Sequence, residues 1–228
     1  MKKIVVLTGA GMSADSGLST FRDSGGMWEK YDINEVASIE GWHKNPKKVL
    51  DFYNARRKQL EEVAPNEGHK ALANLEKSYE VQIITQNVDD LHERAGSSNV
   101  LHLHGELTKA KSETDPQNII DIGTKSIEWG DEAPDGGQLR PHVVWFGEMV
   151  PMMSRAMSLV PSADIFIVIG TSLSVYPAAG LVNYTDESMD RYYIDPSTSE
   201  VSLNGWRHIK ERASVGTPEL ATKLLNAN

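Results

Sequence analysis

The chain has 228 residues, of which 39% are hydrophobic and 24% charged, and this size suits one domain or one large domain with a small insert. The formal net charge of −9 argues against a nucleic-acid-binding surface, which would need a basic patch. Because there is no cysteine, disulfides, thiol nucleophiles and thiolate metal sites are excluded.

The first predicted element is a buried strand from Lys3 to Thr8, a short β-branched run that ends at a glycine. This run is too short for the core of a secretory signal. The longest later apolar run, Ile165 to Ile169, is far too short to span a membrane. We therefore expect a cytoplasmic protein that does not bind membranes.

Further strands and helices alternate along the chain. Apolar runs similar to the first strand follow at Val81–Thr85, Val100–Leu103, His142–Phe146 and Asp164–Ile169. Because these runs are continuous rather than alternating, they favour strands covered on both faces, as in a parallel sheet. Helices are predicted from Pro46 to about Val63, after Asn66, and from Thr217-Pro218-Glu219 towards Leu225. The alternation predicts a Rossmann-like, doubly wound α/β fold.

Two long polar stretches, Gly17 to about Glu40 and Glu106 to about Leu139, interrupt this alternation. Such segments in a compact domain are usually functional loops or small inserts. We therefore predict a Rossmann-like domain of residues 1–30, 70–105 and 140–228, and a small domain of residues 31–69 and 106–139. The active site is expected in the cleft between them, at the carboxyl ends of the strands.

A dinucleotide-binding pattern follows the first strand. The segment Gly9-Ala10-Gly11-Met12-Ser13-Ala14 is G-x-G-x-x-A, in which the glycines let the backbone approach a pyrophosphate and the next helix offers free N–H groups. The alternative is a simple tight turn between a strand and a helix. No clear acidic residue stands about 20 positions further on, where an ordinary Rossmann site places its ribose ligand.

Five sequence blocks in order resemble the sirtuin family, whose members are NAD-dependent protein deacylases. The blocks are Gly9–Gly17 with Thr20-Phe21-Arg22, Thr85–His92, Leu103–Leu107, Phe146–Glu148, and Gly170–Leu173 with Val175 and Pro177–Ala179. Their order and spacing run from Thr8 to Ala179, which is most of the chain. The resemblance implies NAD as a co-substrate that is consumed.

The resemblance also implies the residues that hold NAD and the residue that acts as the base. The cofactor-binding residues would be Gly9, Ala10, Gly11, Phe21, Arg22, Gln86, Asn87, Asp89, Gly170, Thr171, Ser172 and Ala213. His104 would take a proton from a ribose hydroxyl, a step that suits an imidazole with a pKa near neutral pH. A lone histidine is more often a satisfied core residue, and we keep that interpretation for His92 and His102.

The implied substrate is an acylated lysine side chain of a protein. Its amide oxygen would attack the anomeric carbon of NAD as nicotinamide leaves, and the products would be lysine, nicotinamide and O-acyl-ADP-ribose. Val144, Phe146, Gly147 and Glu148 would contact the extended peptide.

The helix after Asn45-Pro46 suggests which acyl group is removed. Tyr53 and Arg56 are three residues apart and share one helical face, and a phenol and a guanidinium together form a good carboxylate receptor. This Y-x-x-R and the stretch Pro141–Glu148 resemble the sirtuin subgroup that removes succinyl and malonyl groups. The alternative is that Arg56 to Lys58 form a solvated basic face and that Tyr53 packs in the core.

The sequence departs from the family at two places. Most sirtuins bind zinc through two C-x-x-C pairs in the small domain, which cannot exist here, so we expect a metal-free small domain. Its packing would involve Ile119, Ile120, Ile122, Ile127 and Trp129. The asparagine that usually contacts the adenosine ribose is also missing, and Tyr193 or Asp195 lies nearby.

Three functions remain open at this stage. The first is a deacylase that acts on succinyl and malonyl groups, with or without activity on acetyl groups. The second is a sirtuin-like NAD hydrolase or ADP-ribosyltransferase, and the third is a non-catalytic NAD-sensing module. The presence of His104, Asn87 and Asp89 argues against the third, and the peptide-clamping block favours the first.

Overall fold

The computed structural model describes residues 1–20, 27–197, 199 and 202–227. The strands in this part of the chain are β1 Lys3–Thr8, β2 Glu80–Thr85, β3 Val100–His102, β4 Gly105–Ser112, β5 Ile119–Asp121, β6 Leu139–Val143, β7 Ile165–Ile169, β8 Asp190–Ile194 and β9 Arg207–Ile209. The helices are α1 Gly11–Ala14, α2 Met27–Lys30, α3 Ile33–Val36, α4 Ile39–Lys44, α5 Pro46–Gln59, α6 Glu67–Leu75, α7 Leu91–Arg94, α8 Met153–Leu159 and α9 Ala213–Asn226. Two 3-10 helices span Val160–Ser162 and Ala178–Tyr184.

Six parallel strands form the larger sheet, in the order β3-β2-β1-β7-β8-β9. The apolar run of β1 is fully buried from Ile4 to Leu7, as a strand covered on both faces requires. One face packs against α6 and α9, and the other packs against α8 and the two 3-10 helices. The strand order reverses between β1 and β7, which creates the crevice where such folds bind ligands.

A three-stranded antiparallel sheet, in the order β5-β4-β6, belongs to a separate core. This core joins the sheet to α3, α4 and α5 through buried side chains such as Trp42, Val49, Phe52, Leu107 and Ala110. It corresponds to the small domain expected from the sequence, although the predicted domain boundaries stay a prediction.

The predicted strand His142–Phe146 is wrong in both its position and its sheet. The chain instead forms β6 at Leu139–Val143, antiparallel to β4. Pro141 lies within β6, and it is tolerated because β6 is an edge strand and a missing N–H costs least there. Strand β4 lies partly in the stretch predicted as irregular, because its register is interrupted between Gly105 and Ala110 and the apolar alternation is therefore broken.

Helix starts were predicted better than helix ends. Helix α5 begins at Pro46, and Asn45 Oδ1 accepts a hydrogen bond from the Lys48 N–H at 3.1 Å. It ends at Gln59 rather than at Val63, because the following residues close tighter turns. Asn66 caps α6 as expected.

The last helix begins earlier than predicted. Helix α9 begins at Ala213 rather than at Thr217, and Pro218 lies inside it. Pro218 is the sixth residue of α9, so the helix lacks the hydrogen bond that an N–H at this position would donate to the Ser214 carbonyl.

The predicted packing of the small domain is correct only in part. Ile127 is buried, but Ile119 and Trp129 are 45% and 51% exposed, and Ile120 and Ile122 are half-buried. The core is instead built by residues of α4 and α5, because these amphipathic helices cover the sheet. Within the described residues, no helix combines the length and apolar character that crossing a membrane requires.

Candidate active site

A cavity of about 770 Å³ lies at the carboxyl ends of β1, β2, β7 and β8, beside the small antiparallel sheet. All of the predicted site residues that the structure describes line this cavity. They are Gly9, Ala10, Gly11, Tyr53, Arg56, Gln86, Asn87, Asp89, His104, Val144, Phe146, Gly147, Glu148, Gly170, Thr171, Ser172 and Ala213. Phe21 and Arg22 lie outside the described residues. Residues that the chain separates by up to two hundred positions therefore meet around one space.

The two glycine loops of the site pack directly against each other. The Gly9 N–H donates to Ile169 O at 3.0 Å, and the Gly11 N–H donates to Gly170 O at 2.9 Å. A Cβ at Gly11 would lie 2.8 Å from the Gly170 Cα, which is too close for any side chain. These glycines are therefore required by the contact between the β1 and β7 loops, in which both of their N–H groups already donate.

The loop after β2 carries three predicted cofactor residues. The Gln86 Nε2 donates to Thr171 Oγ1 at 3.3 Å, and the Asn87 Nδ2 donates to Ser13 Oγ at 3.1 Å. Burial raises the pKa of the Asp89 carboxyl, while hydrogen bonds from Leu91 N–H and Ser13 partly offset this shift. Ser13 was not predicted as a site residue, although it stands inside the glycine-rich block.

His104 follows β3 and faces the cavity. Its Nδ1 lies 3.0 Å from Gln86 O, and since a carbonyl only accepts, Nδ1 carries the proton and leaves the lone pair on Nε2. Burial lowers the pKa of His104, which favours the neutral form. Gly105 has φ +82°, and a Cβ there would lie 2.0 Å from His142 O, so glycine is required beside the histidine.

Tyr53 and Arg56 enter the cavity from α5. The Tyr53 hydroxyl accepts from the Trp145 Nε1–H at 3.0 Å, and burial raises the pKa of Tyr53 to about 12, so it remains a donor. Arg56 is half-buried, and burial lowers the pKa of its guanidinium. One half of the alternative is correct, because Tyr53 packs in the core of the small domain and is 2% exposed. The other half, a solvated basic face, fits only Lys58, which is exposed, because Arg57 is buried and its Nε donates to Leu107 O at 2.6 Å.

The segment Phe146–Glu148 is held in place by its own side chains. The Glu148 carboxylate accepts from Arg140 Nη1 at 2.8 Å and Nη2 at 3.1 Å, and also from the Trp145 N–H at 2.8 Å. The ion pair with Arg140 lowers the pKa of Glu148 against the opposing effect of burial. Glu148 therefore shapes this segment, while Phe146 is 46% exposed at the rim.

At the far end of the cavity, Asp195 follows β8 directly. Its Oδ1 accepts from the Ser197 N–H at 2.9 Å and from the Ser197 Oγ–H at 2.6 Å. Tyr193 is turned away, and its hydroxyl donates to Thr171 O at 3.2 Å. Of the two residues near the missing asparagine, Asp195 is the one that lines the cavity, and its position directly after an apolar run was the available signal.

Comparisons with known proteins show which family this chain is similar to. A model described as Sir2 family matches residues 9–177. A protein from Helicobacter pylori strain J99, named NAD-dependent protein deacylase, is 56% identical over 99% of this chain and 96% of its own length. A protein of the same name from Bacteroides thetaiotaomicron is 54% identical, with all of both chains covered. A crystal structure of a Sir2 homolog–NAD complex is 38% identical, with a TM-score of 0.90 over 99% of this chain and 90% of that one.

Proposed function

Because this chain belongs to the Sir2 family and is an NAD-dependent protein deacylase, we propose that it removes succinyl and malonyl groups, and acetyl groups beside them, from lysine side chains of proteins. The Rossmann-like fold with a small second domain is that of the family. The observation that carries the acyl preference is that Tyr53 and Arg56 line the same cavity as His104 and Asp89.

Tyr53 and Arg56 supply the two kinds of donor that a carboxylate needs. The guanidinium is always charged and presents a planar fork of N–H groups, and the phenol is held protonated by its burial. Trp145 occupies an acceptor lone pair of the hydroxyl and leaves its proton available. An acidic acyl chain would meet both donors, whereas an acetyl group has no charged end for Arg56 to bind.

The residues around the cavity also suit NAD. Loops Gly9–Gly11 and Gly170–Ser172 both line the cavity, where the first would hold the pyrophosphate and the second would meet the adenosine side, and the Asp89 carboxylate can accept from a carboxamide. NAD supplies the electrophilic anomeric carbon when nicotinamide leaves. In our proposal, Asn87 orients the ribose, and Nε2 of His104 takes a proton from a ribose hydroxyl.

The acyl preference is tested by Arg56→Met. Removing one partner of a buried charge pair costs about 2–5 kcal/mol, so activity on a succinyl-lysine peptide should fall by at least about 30-fold. Activity on the matching acetyl-lysine peptide should stay nearly unchanged. Lys58→Met is the matched control, because Lys58 is an exposed basic residue of the same helix and lies outside the cavity.

Other outcomes distinguish the alternatives. A parallel fall of both activities, or no fall of either, would show that Arg56 is not the acyl receptor. Nicotinamide release that does not depend on peptide would point to an NAD hydrolase or ADP-ribosyltransferase. Binding of NAD without any nicotinamide release would point to a sensing module.

A further inference from the structure

An ion pair between His102 and Glu93 lies beside the loop after β2, on the side of this loop that faces away from the cavity. His102 is the last residue of β3, and its side chain is 8% exposed. Its Nε2 lies 2.8 Å from Glu93 Oε1, and its Nδ1 lies 3.1 Å from Asn87 O. Neither His102 nor Glu93 lines the cavity, so both lie outside the site described above.

The two partners of His102 fix its protonation state. A backbone carbonyl and a carboxylate are both acceptors, so both hydrogen bonds form only if both ring nitrogens carry a proton. The imidazole is therefore a cation, unlike His104, whose Nε2 is left without a proton. Glu93 raises the pKa of His102 by its hydrogen bond and charge, against the opposing effect of burial.

His102 and His104 both hydrogen-bond to the loop after β2. His102 ends β3 and His104 lies just beyond it, and both contact the loop after β2, while Leu101 and Leu103 are buried in the core of the large sheet. His104 bonds the carbonyl of Gln86, and His102 bonds the carbonyl of the next residue, Asn87. The H-x-H pattern at this strand end was the sequence signal for this arrangement.

The surroundings of His102 favour a positive charge. Glu93 and His92 face it from α7, Glu106 faces it from β4, and Asp89 faces it from the loop. Lys109 pairs with Glu106 at 2.8 Å. Three carboxylates therefore lie around one imidazolium, and its charge also favours the ionised form of Asp89.

We propose that His102, held as an imidazolium by Glu93, is a positioning residue that fixes Asn87 and Asp89 for NAD. The proposal rests on the NAD-binding role proposed for those two residues, and it is independent of the acyl preference. If the imidazolium loses a proton while Glu93 stays ionised, the remaining N–H stays with the carboxylate, which is the stronger acceptor, and the hydrogen bond from Nδ1 to Asn87 O is lost. The loop is then released on its outer side.

The first test is a titration of the histidine ring protons by NMR, with the His102 signal assigned by its loss in His102→Gln. In the wild type, His102 should titrate above about pH 6.5, the ordinary value for histidine. In Glu93→Gln it should titrate at least about one unit lower, because an opposite charge within 4–6 Å typically shifts a pKa by 1–3 units. His43→Gln is the matched control, since His43 is exposed on α4.

The second test is the pH profile of kcat/KM for NAD. Glu93→Gln should flatten the alkaline fall of this profile, because the amide can donate to the unprotonated Nε2 and Nδ1–H then stays on Asn87 O. Activity at pH 6 should stay within about threefold of wild type, a pattern that simple destabilisation would not produce. An alkaline fall unchanged in Glu93→Gln, or a wild-type His102 that titrates at or below the ordinary value, would overturn the proposal. Because Glu93 is largely exposed, this variant is expected to fold even if His102→Gln does not. Absence of NAD turnover in the wild type would overturn the proposed function instead, since the titration is read without NAD.

Discussion

At the scale of single residues, sequence identified which histidine faces the cavity, and structure supplies its chemical state. The block Leu103-His104-Gly105 located His104, but its tautomer depends on Gln86, eighteen positions earlier in the chain. Ser13 was missed because its contact with Asn87 is set by how two loops meet rather than by local pattern, and sequence alone left Tyr193 and Asp195 as alternatives near the missing asparagine. Tertiary contacts of this kind are not visible in the spacing of a single chain.

The variant His104→Ala should lose deacylation while it keeps NAD binding. General-base catalysis is typically worth about 100-fold or more, so a residual rate above about a tenth of wild type would contradict the assignment. NAD affinity, measured by calorimetry, should change little because the loss removes one hydrogen bond to Gln86. In the wild type the lowered pKa of His104 should place the acid limb of kcat/KM below about pH 6.5, since the base stays neutral to lower pH.

At the scale of elements, β1, β2, β3 and β7 of the large sheet were predictable because they contain continuous apolar runs. Strands β8 and β9 of the same sheet were not predicted, because polar residues such as Asp190, Arg191 and Arg207 interrupt any apolar run there, and the small sheet was not predicted correctly either. Its strand β4 lies next to polar turns, and its stability depends on contacts between distant loops. Asp135 makes the central contact: its carboxylate accepts from Ser112 Oγ at 2.8 Å and from Thr114 Oγ1 at 2.9 Å. These hydrogen bonds connect the end of β4 to the loop that precedes β6, within the segment where most sirtuins bind zinc.

We expect Asp135→Ala to loosen this segment and not the large sheet. Hydrogen exchange should rise around residues 112–118 and 133–138, while β1 and β2 stay protected, and Glu132→Ala, an exposed neighbour, is the control.

No group of three His, Cys, Asp or Glu side chains in the described part of the chain could hold a metal. The wild type should therefore keep its activity in a chelator, and stoichiometric zinc by elemental analysis would contradict the metal-free prediction.

At the scale of the whole molecule, a buried histidine connects helix α6 to the glycine-rich loop that lines the cavity. His69 lies at the start of α6, where its Nδ1 accepts from the Asn66 N–H at 3.3 Å and its Nε2 lies 3.4 Å from Ser13 Oγ. His69 is fully buried, and burial lowers its pKa to about 4. The pattern of the chain predicted the capping role of Asn66, but it gave no sign that a neutral histidine lies under the cofactor loop.

This buried histidine makes the stability of the whole fold depend on pH. In the unfolded chain His69 takes up a proton below about pH 6.5, whereas in the folded state it does so only near pH 4. Its contribution to stability is therefore fully present above pH 6.5 and is lost as the pH falls towards 4, by about 1.4 kcal/mol per unit. His92, whose pKa burial lowers, and His142, whose pKa burial lowers to about 4, act in the same direction, and Asp89, whose pKa burial raises, acts in the opposite one.

His69→Gln removes the titrating group at this position, because glutamine does not titrate and also completes a capping box with Asn66. Between pH 7 and pH 5 the free energy of unfolding in urea should fall by about 2 kcal/mol more for wild type than for His69→Gln. Lys70→Gln, an exposed neighbour, should keep the wild-type dependence, and parallel curves for wild type and His69→Gln would show that His69 is not the group responsible.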